Sequence, residues 1–313
     1  MSILVTGGGG FIGTVLVNKL LKMNKRVKVI DVFWFGRYLK KHKNLTIIKK
    51  DIHDCSEKDF EGIKTIYHLA SVANDPASSL EPKLTWEISC LGTLKLCELA
   101  KKAKIKKFIF ASSGSIYGIK KEKNVHEGLP PVPISDYNKT KMIAEKVIEN
   151  YKNDFKCYIV RPGTVFGYSP RMRLDLMINI LTFHALTKNK MTVFGGGQTR
   201  PYLHIDDMTN LYLFFLNNKI KPGTYNASTG NLSALETANQ IKKIIPNCKI
   251  EIKKSNDPRS YRLSNKKITD AGFKFKKSLF EGINELIDLY RDGKIKNTEN
   301  SYSVNFIKKL KKK

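Results

Sequence analysis

The chain has 313 residues, 41% of them hydrophobic, enough for a sizeable core in one large α/β unit or two fused lobes. No apolar run reaches about eighteen residues, so no membrane span is expected. The net charge of +28 is mostly Lys dispersed along the chain, which fits a solvated basic surface and no specific nucleic acid partner, since base and phosphate readout leans on clustered Arg.

Residues 2–6 read as a buried strand, and an amphipathic helix follows through Val15, Leu16, Lys19, Leu20 and Met23. Strands are predicted at 27–32, 45–48, 65–70, 107–111 and 157–160, with helices at about 84–103 and 137–151 between the later ones. Alternation of this kind implies an α/β fold with a doubly wound parallel Rossmann sheet and right-handed crossovers. After about Val165 the pattern loosens into a helix at 174–186, a strand at 191–194, a helix at 207–216 and smaller units around 225–226, 234–245, 249–252 and 279–290. Two regions are expected: residues 1–165 as the dinucleotide-binding domain, and 166–313 as a smaller lobe over the carboxyl edge of the sheet. The tail Lys308–Lys313 is predicted to be disordered.

The first strand begins at once, leaving no room for a targeting segment. Cys55, Cys90, Cys97, Cys157 and Cys248 are an odd, scattered set without a C-x-x-C pair, read as reduced and mostly buried thiols. Both features point to a cytoplasmic protein without disulfides or a metal site.

Gly7, Gly10 and Gly13 are spaced G-x-x-G-x-x-G between the first strand and the first helix. Such a loop permits a tight turn, close approach of backbone to a pyrophosphate, and packing of helix on strand, with the helix N-terminus facing the phosphates. Asp31 closes the second strand about 20 residues on, where a carboxylate holds ribose hydroxyls. It repels the 2′-phosphate of NADP, so NAD is the expected cofactor, although Arg37 lies close downstream.

Tyr137 and Lys141 stand four apart on a predicted helix, hence on one face. A free phenol has a pKa of about 10, and a nearby ammonium would bring it toward the working range for proton transfer. Ser113, at the end of the strand over 107–111, would bond the same substrate oxygen. Tyr117…Lys121 and Tyr290…Lys294 share the spacing, but Gly118 and Asp292-Gly293 break their helical context.

These residues resemble the extended short-chain dehydrogenase/reductase family of nucleotide-sugar epimerases and dehydratases. The likeness also runs through Asp51-Ile52, His68 to Ser71, Ser112 to Gly118, Arg161 to Gly167 and Thr199 to Asp207. It implies that Phe11, Ile12, Asp51, Ile52, Leu69, Ala70 and Ser71 join the glycines, Asp31, Tyr137 and Lys141 around the cofactor. It further implies substrate contacts from Ser113, Ser115 and Thr164, with Arg200 and Arg259 on the diphosphate of a nucleoside-diphosphate sugar. A homodimer through the helices near 84–103 and 137–151 is expected on the same ground. Ser89 and Thr164 stand where the family often has Asn, and Gly114 and Ser115 replace an acidic pair used for dehydration. The expected activity is epimerisation at the sugar C4, with a dehydrogenase or ketoreductase as the alternative and an RNA-binding protein without catalysis as a remote one.

Overall fold

The computed structural model describes residues 2–255 and 257–310. In strand β1 (Ser2–Thr6), Ile3 and Val5 enter one apolar layer while Leu4 enters the other. Side chains of a strand alternate, so a run without polar breaks is buried on both faces. The chain continues through α1 (Phe11–Lys22), β2 (Arg26–Asp31), β3 (Leu45–Lys49), β4 (Ile63–His68), α2 (Asp75–Leu80), α3 (Pro82–Trp86) and α4 (Gly92–Lys102). Next come β5 (Lys107–Ala111), α5 (Asp136–Glu149), β6 (Lys156–Pro162), β7 (Thr164–Phe166), α6 (Met177–Lys188), β8 (Lys190–Phe194) and β9 (Thr199–His204). The remainder is α7 (Ile205–Asn217), β10 (Gly223–Ala227), β11 (Gly230–Ser233), α8 (Ala234–Ile244), β12 (Lys249–Lys253), α9 (Lys266–Asp270), α10 (Leu279–Arg291) and α11 (Ser303–Leu310).

Seven strands form one parallel sheet in the order β3-β2-β1-β4-β5-β6-β10. This is a doubly wound Rossmann fold: α1 and α7 cover one face, α4 and α5 the other. Residues beyond 165 also enter this body, because β10 pairs with β6 and α7 packs on α1. Lys19 on α1 ties that contact, pairing with Asp206 (2.9 Å) and Asn210 (2.9 Å). A third apolar cluster joins α6, α8 and α10 to β8, beside a β11-β9-β7 sheet and a β8-β12 pair.

The helix expected over 84–103 is divided. A single wide turn at Glu87–Leu91 separates α3 from α4, and Gly92 there faces the Ile52 side chain, 2.2 Å from where a Cβ would stand. The widening leaves Ser89 bonded to Ser71 (3.1 Å). At the other end, Lys308 to Leu310 are helical within α11, not disordered, because Ile307 on the same helix is buried. Lys311, Lys312 and Lys313 lie outside the described residues. All five cysteines are free, and only Cys90 is not buried.

His68 joins the sheet to α4. Thr6 Oγ1 lies 2.8 Å from its Nδ1, and its Nε2 lies 2.9 Å from Thr93 Oγ1, which donates to the Ser89 carbonyl (2.7 Å). That chain suits a neutral ring. Burial, then the charge of Lys141, pushes His68 down to about 3. Below its ordinary pKa of about 6.5 the unfolded chain takes up a proton that the fold refuses. His68 should therefore cost roughly 1.4 kcal/mol of stability per pH unit as pH falls from about 6.5 toward 3. Urea unfolding at pH 7.5 and 5 should show a smaller pH loss for His68→Gln than for wild type; equal losses would remove His68 from the account.

Candidate active site

The carboxyl ends of β1, β2, β4 and β5 open into one cavity of about 750 Å³, and every site residue named from the sequence lies on its wall. At one end is the glycine loop. Gly7 has φ +73°, and a Cβ on it would meet the Ala70 backbone at 2.5 Å; a Cβ on Gly13 would meet the Gly7 carbonyl at 2.2 Å. These glycines hold α1 against the strand. No side chain caps α1, whose first-turn N–H groups lack intrahelical partners and face an anion-favouring pole.

Asp31 is fixed by two backbone donors, Gly9 N–H (2.8 Å) and Phe33 N–H (2.6 Å). Burial still pushes its carboxyl up, with those two bonds pulling the other way. Arg37 lies over the Phe33 ring, 5.1 Å from its centroid. Asp51 caps the turn over Ile52–Asp54 and accepts from both the backbone (2.9 Å) and ring (2.8 Å) of His53. Leu69, Ala70 and Ser71 follow directly on the end of β4, where the chain turns along the cavity.

α5 begins at the Ser135 cap, which accepts from Asn138 N–H (3.3 Å) and brings Tyr137 and Lys141 to the cavity. Lys141 does not pair with the phenol. Its ammonium donates to the Ala111 carbonyl (2.7 Å) and lies 4.8 Å over the Phe110 ring. Burial pushes Lys141 down to about 7, with Glu145 pulling back. Burial, then Asp75, pushes the Tyr137 phenol up; the Ser113 hydroxyl, Arg173 and Arg259 pull it down. The ammonium that the spacing sets on the same helix face as the phenol thus bonds the end of β5 with one of its three N–H donors. Ser113 and Ser115 share a hydrogen bond (2.7 Å), Ser115 donates to Asn138, and Asn138 donates to Asp75 (3.2 Å).

Two guanidinium groups close the far end. Arg200 pairs with Asp257 (2.9 Å), and Arg259 grips the same carboxylate through Nε (2.8 Å) and Nη2 (2.6 Å) while bonding Asp75. Together they hold Asp257 well below the usual carboxylate range against the opposing effect of burial. Thr164 opens β7 on the same wall.

Asp75 is a site residue that sequence reasoning missed, as are Arg171, Arg173 and Asp175. Asp75 opens a six-residue helix, too short for a periodic signal. Arg171-Met172-Arg173-Leu174-Asp175 is a visible knot of charge in an apolar stretch, the one cue that could have marked it.

The cradle fits a dinucleotide: two glycines where a Cβ would strike backbone, an uncapped helix start, a backbone-fixed carboxylate, and a buried guanidinium, Arg171, whose Nε lacks a partner. Elsewhere His204, Asp206 and Glu285 lie close enough to share a metal ion, but Lys19 and Lys277 already pair with the two carboxylates. No helix among the described residues is long and apolar enough to cross a membrane.

A Methanocaldococcus jannaschii protein, provisionally named a UDP-glucose 4-epimerase, is 30% identical over 298 residues, covering 91% of this chain and 97% of that one. UDP-glucuronic acid decarboxylase 1 of Danio rerio is 28% identical over 256 residues; the match covers 78% of this chain and 60% of that protein's length. The structure of UDP-glucuronic acid 4-epimerase from Bacillus cereus, in complex with UDP-glucuronic acid and NAD, superposes with a TM-score of 0.84 at 27% identity, covering 93% and 99% of the two chains. The family profile matches residues 3–228. The chain belongs to the NAD dependent epimerase/dehydratase family.

Proposed function

We propose that the chain is an NAD-dependent nucleoside-diphosphate-sugar epimerase acting at C4 of the sugar. The observation that carries this reading is the shared cavity: the glycine loop with Asp31, the Tyr137–Ser113 pair, and the Arg200–Arg259 fork all line it. In this reading the glycine loop, Asp31, Asp51 and the stretch after β4 hold NAD, and Arg200 and Arg259 exchange Asp257 for the substrate diphosphate. Residues 1–165 supply most of the cofactor side, and 166–313 mainly the sugar-nucleotide side. NAD, when bound, supplies a hydride acceptor and donor at the reacting carbon. Ser113 donates a hydrogen bond to the C4 oxygen, and the Tyr137 oxygen, as the phenolate, takes the hydroxyl proton to become the phenol and later returns it. Gly114 and Ser115 offer no acid or base for water elimination. We further propose pairing of two copies through α4 and α5, supported by the exposed Leu91 and Leu94.

The test is incubation of the purified protein with UDP-glucose and UDP-glucuronic acid without added dinucleotide, followed by NMR of the products and mass spectrometry of heat-released molecules. C4-inverted sugar with NAD at near one per chain is expected. A keto sugar formed in step with reduced cofactor would mean a dehydrogenase instead. Absence of both turnover and dinucleotide binding would end the enzyme reading.

A further inference from the structure

Arg171 lies where three parts of the chain meet. Ser169 donates to the Phe11 carbonyl (2.7 Å), pinning this loop to the first turn of α1. Two residues on, Arg171 is 2% exposed and lines the cavity. Its Nη2 donates to Ser303 Oγ (3.3 Å), its Cζ stands 3.8 Å from the Phe35 ring centroid, and its Nε has no partner. Burial, then Arg173, pushes the guanidinium down to about 9, which leaves it charged at neutral pH.

The nearby carboxylates are already committed. Asp175 accepts from Arg173 (2.9 and 3.2 Å), Asn74 (3.2 Å) and the Ser303 N–H (3.0 Å), and Asp31 accepts from Gly9 and Phe33. A guanidinium offers five N–H donors, and a buried one without an anion is costly. The cover over it is α11. Ser303 and Ile307 line the same cavity, and Phe306 stacks on Trp34 (5.4 Å) and meets Phe35 (5.1 Å), residues that follow Asp31.

We propose that Arg171 is the counter-ion of the cofactor diphosphate and that α11 is the latch that keeps it there, so that NAD is retained between turnovers. The proposal rests on the NAD-dependent reading above and extends it. The tether to α1 favours the diphosphate, because that helix start is where an anion is drawn. Such retention suits an epimerase, whose cofactor ends each cycle in its starting state and need not exchange.

The experiment strips the full-length protein of bound dinucleotide and titrates adenosine, ADP, NAD and NADP by calorimetry. Arg171→Gln should weaken ADP and NAD by about 10- to 100-fold and leave adenosine within about twofold. Arg171→Lys should recover part of the loss, and Phe306→Ala should speed NAD release about tenfold in a displacement assay. Equal losses for adenosine and ADP would make Arg171 merely structural, and a loss confined to NADP would assign it to a 2′-phosphate; either overturns the proposal. Should Arg171→Gln not fold, a wild type that binds ADP no tighter than adenosine overturns it as well. Failure of wild type to bind NAD would instead sink the reading beneath it, whereas tight wild-type binding unchanged in Arg171→Gln sinks this proposal alone.

Discussion

Tyr137→Phe should lower turnover by about 10²- to 10⁴-fold, the usual weight of a positioned acid–base group, and leave NAD affinity within about twofold. The change deletes one oxygen and keeps the ring. That oxygen stands in a field set by named neighbours: burial and Asp75 favour the protonated phenol, while Ser113, Arg173 and Arg259 favour the phenolate. Arg259 also pairs with Asp75, so any group that drew Arg259 away would strengthen the hold of Asp75 on the proton. A pH profile of turnover and a calorimetric NAD titration on both proteins check this. Wild-type turnover in the variant would remove Tyr137 from the chemistry.

Glu145→Ala should destabilise the fold by about 3–5 kcal/mol, because it strands a buried guanidinium. Glu145 is 1% exposed and accepts from Arg161 Nε (3.0 and 3.2 Å) and Nη2 (2.6 Å), as well as from Ser112. Arg161 continues the network to Tyr117 Oη (2.7 Å), which donates to Asn226 on β10 (3.0 Å). β6, β10, the residue that follows β5, and α5 are thus tied together around one charge pair. Urea melts of Glu145→Ala and of the double variant Glu145→Ala/Arg161→Met measure it, the second recovering much of the loss because no charge is left unpaired. Glu145 lies one turn beyond Lys141 and pulls its pKa upward. The milder Glu145→Gln should therefore push the Lys141 pKa lower still, which an NMR titration of its ammonium measures.

The first half of the fold was legible because its code is local. The G-x-x-G-x-x-G loop, the apolar strands and the Tyr137–Lys141 interval each express a backbone or helix period within a few residues. What stayed hidden depends on distance in sequence. Asp75 matters through Arg259, and Arg171 through Ser303, pairs that no short window contains. α11 was masked by its composition, since Lys308 and Lys309 directly follow the buried Ile307 and read as a charged tail. Lys141 was placed on the right face, but its bond to the Ala111 carbonyl comes from the end of another element.

The outermost strand has a consequence for how the molecule is made. β6 has β5 on one side and receives β10 on the other only after residues 163–222 have been synthesised. During translation its free backbone edge is open, a template for pairing with other chains. The nascent sheet is thus left vulnerable until Gly223–Ala227 leaves the ribosome, and a fragment ending near residue 165 would keep that edge permanently bare.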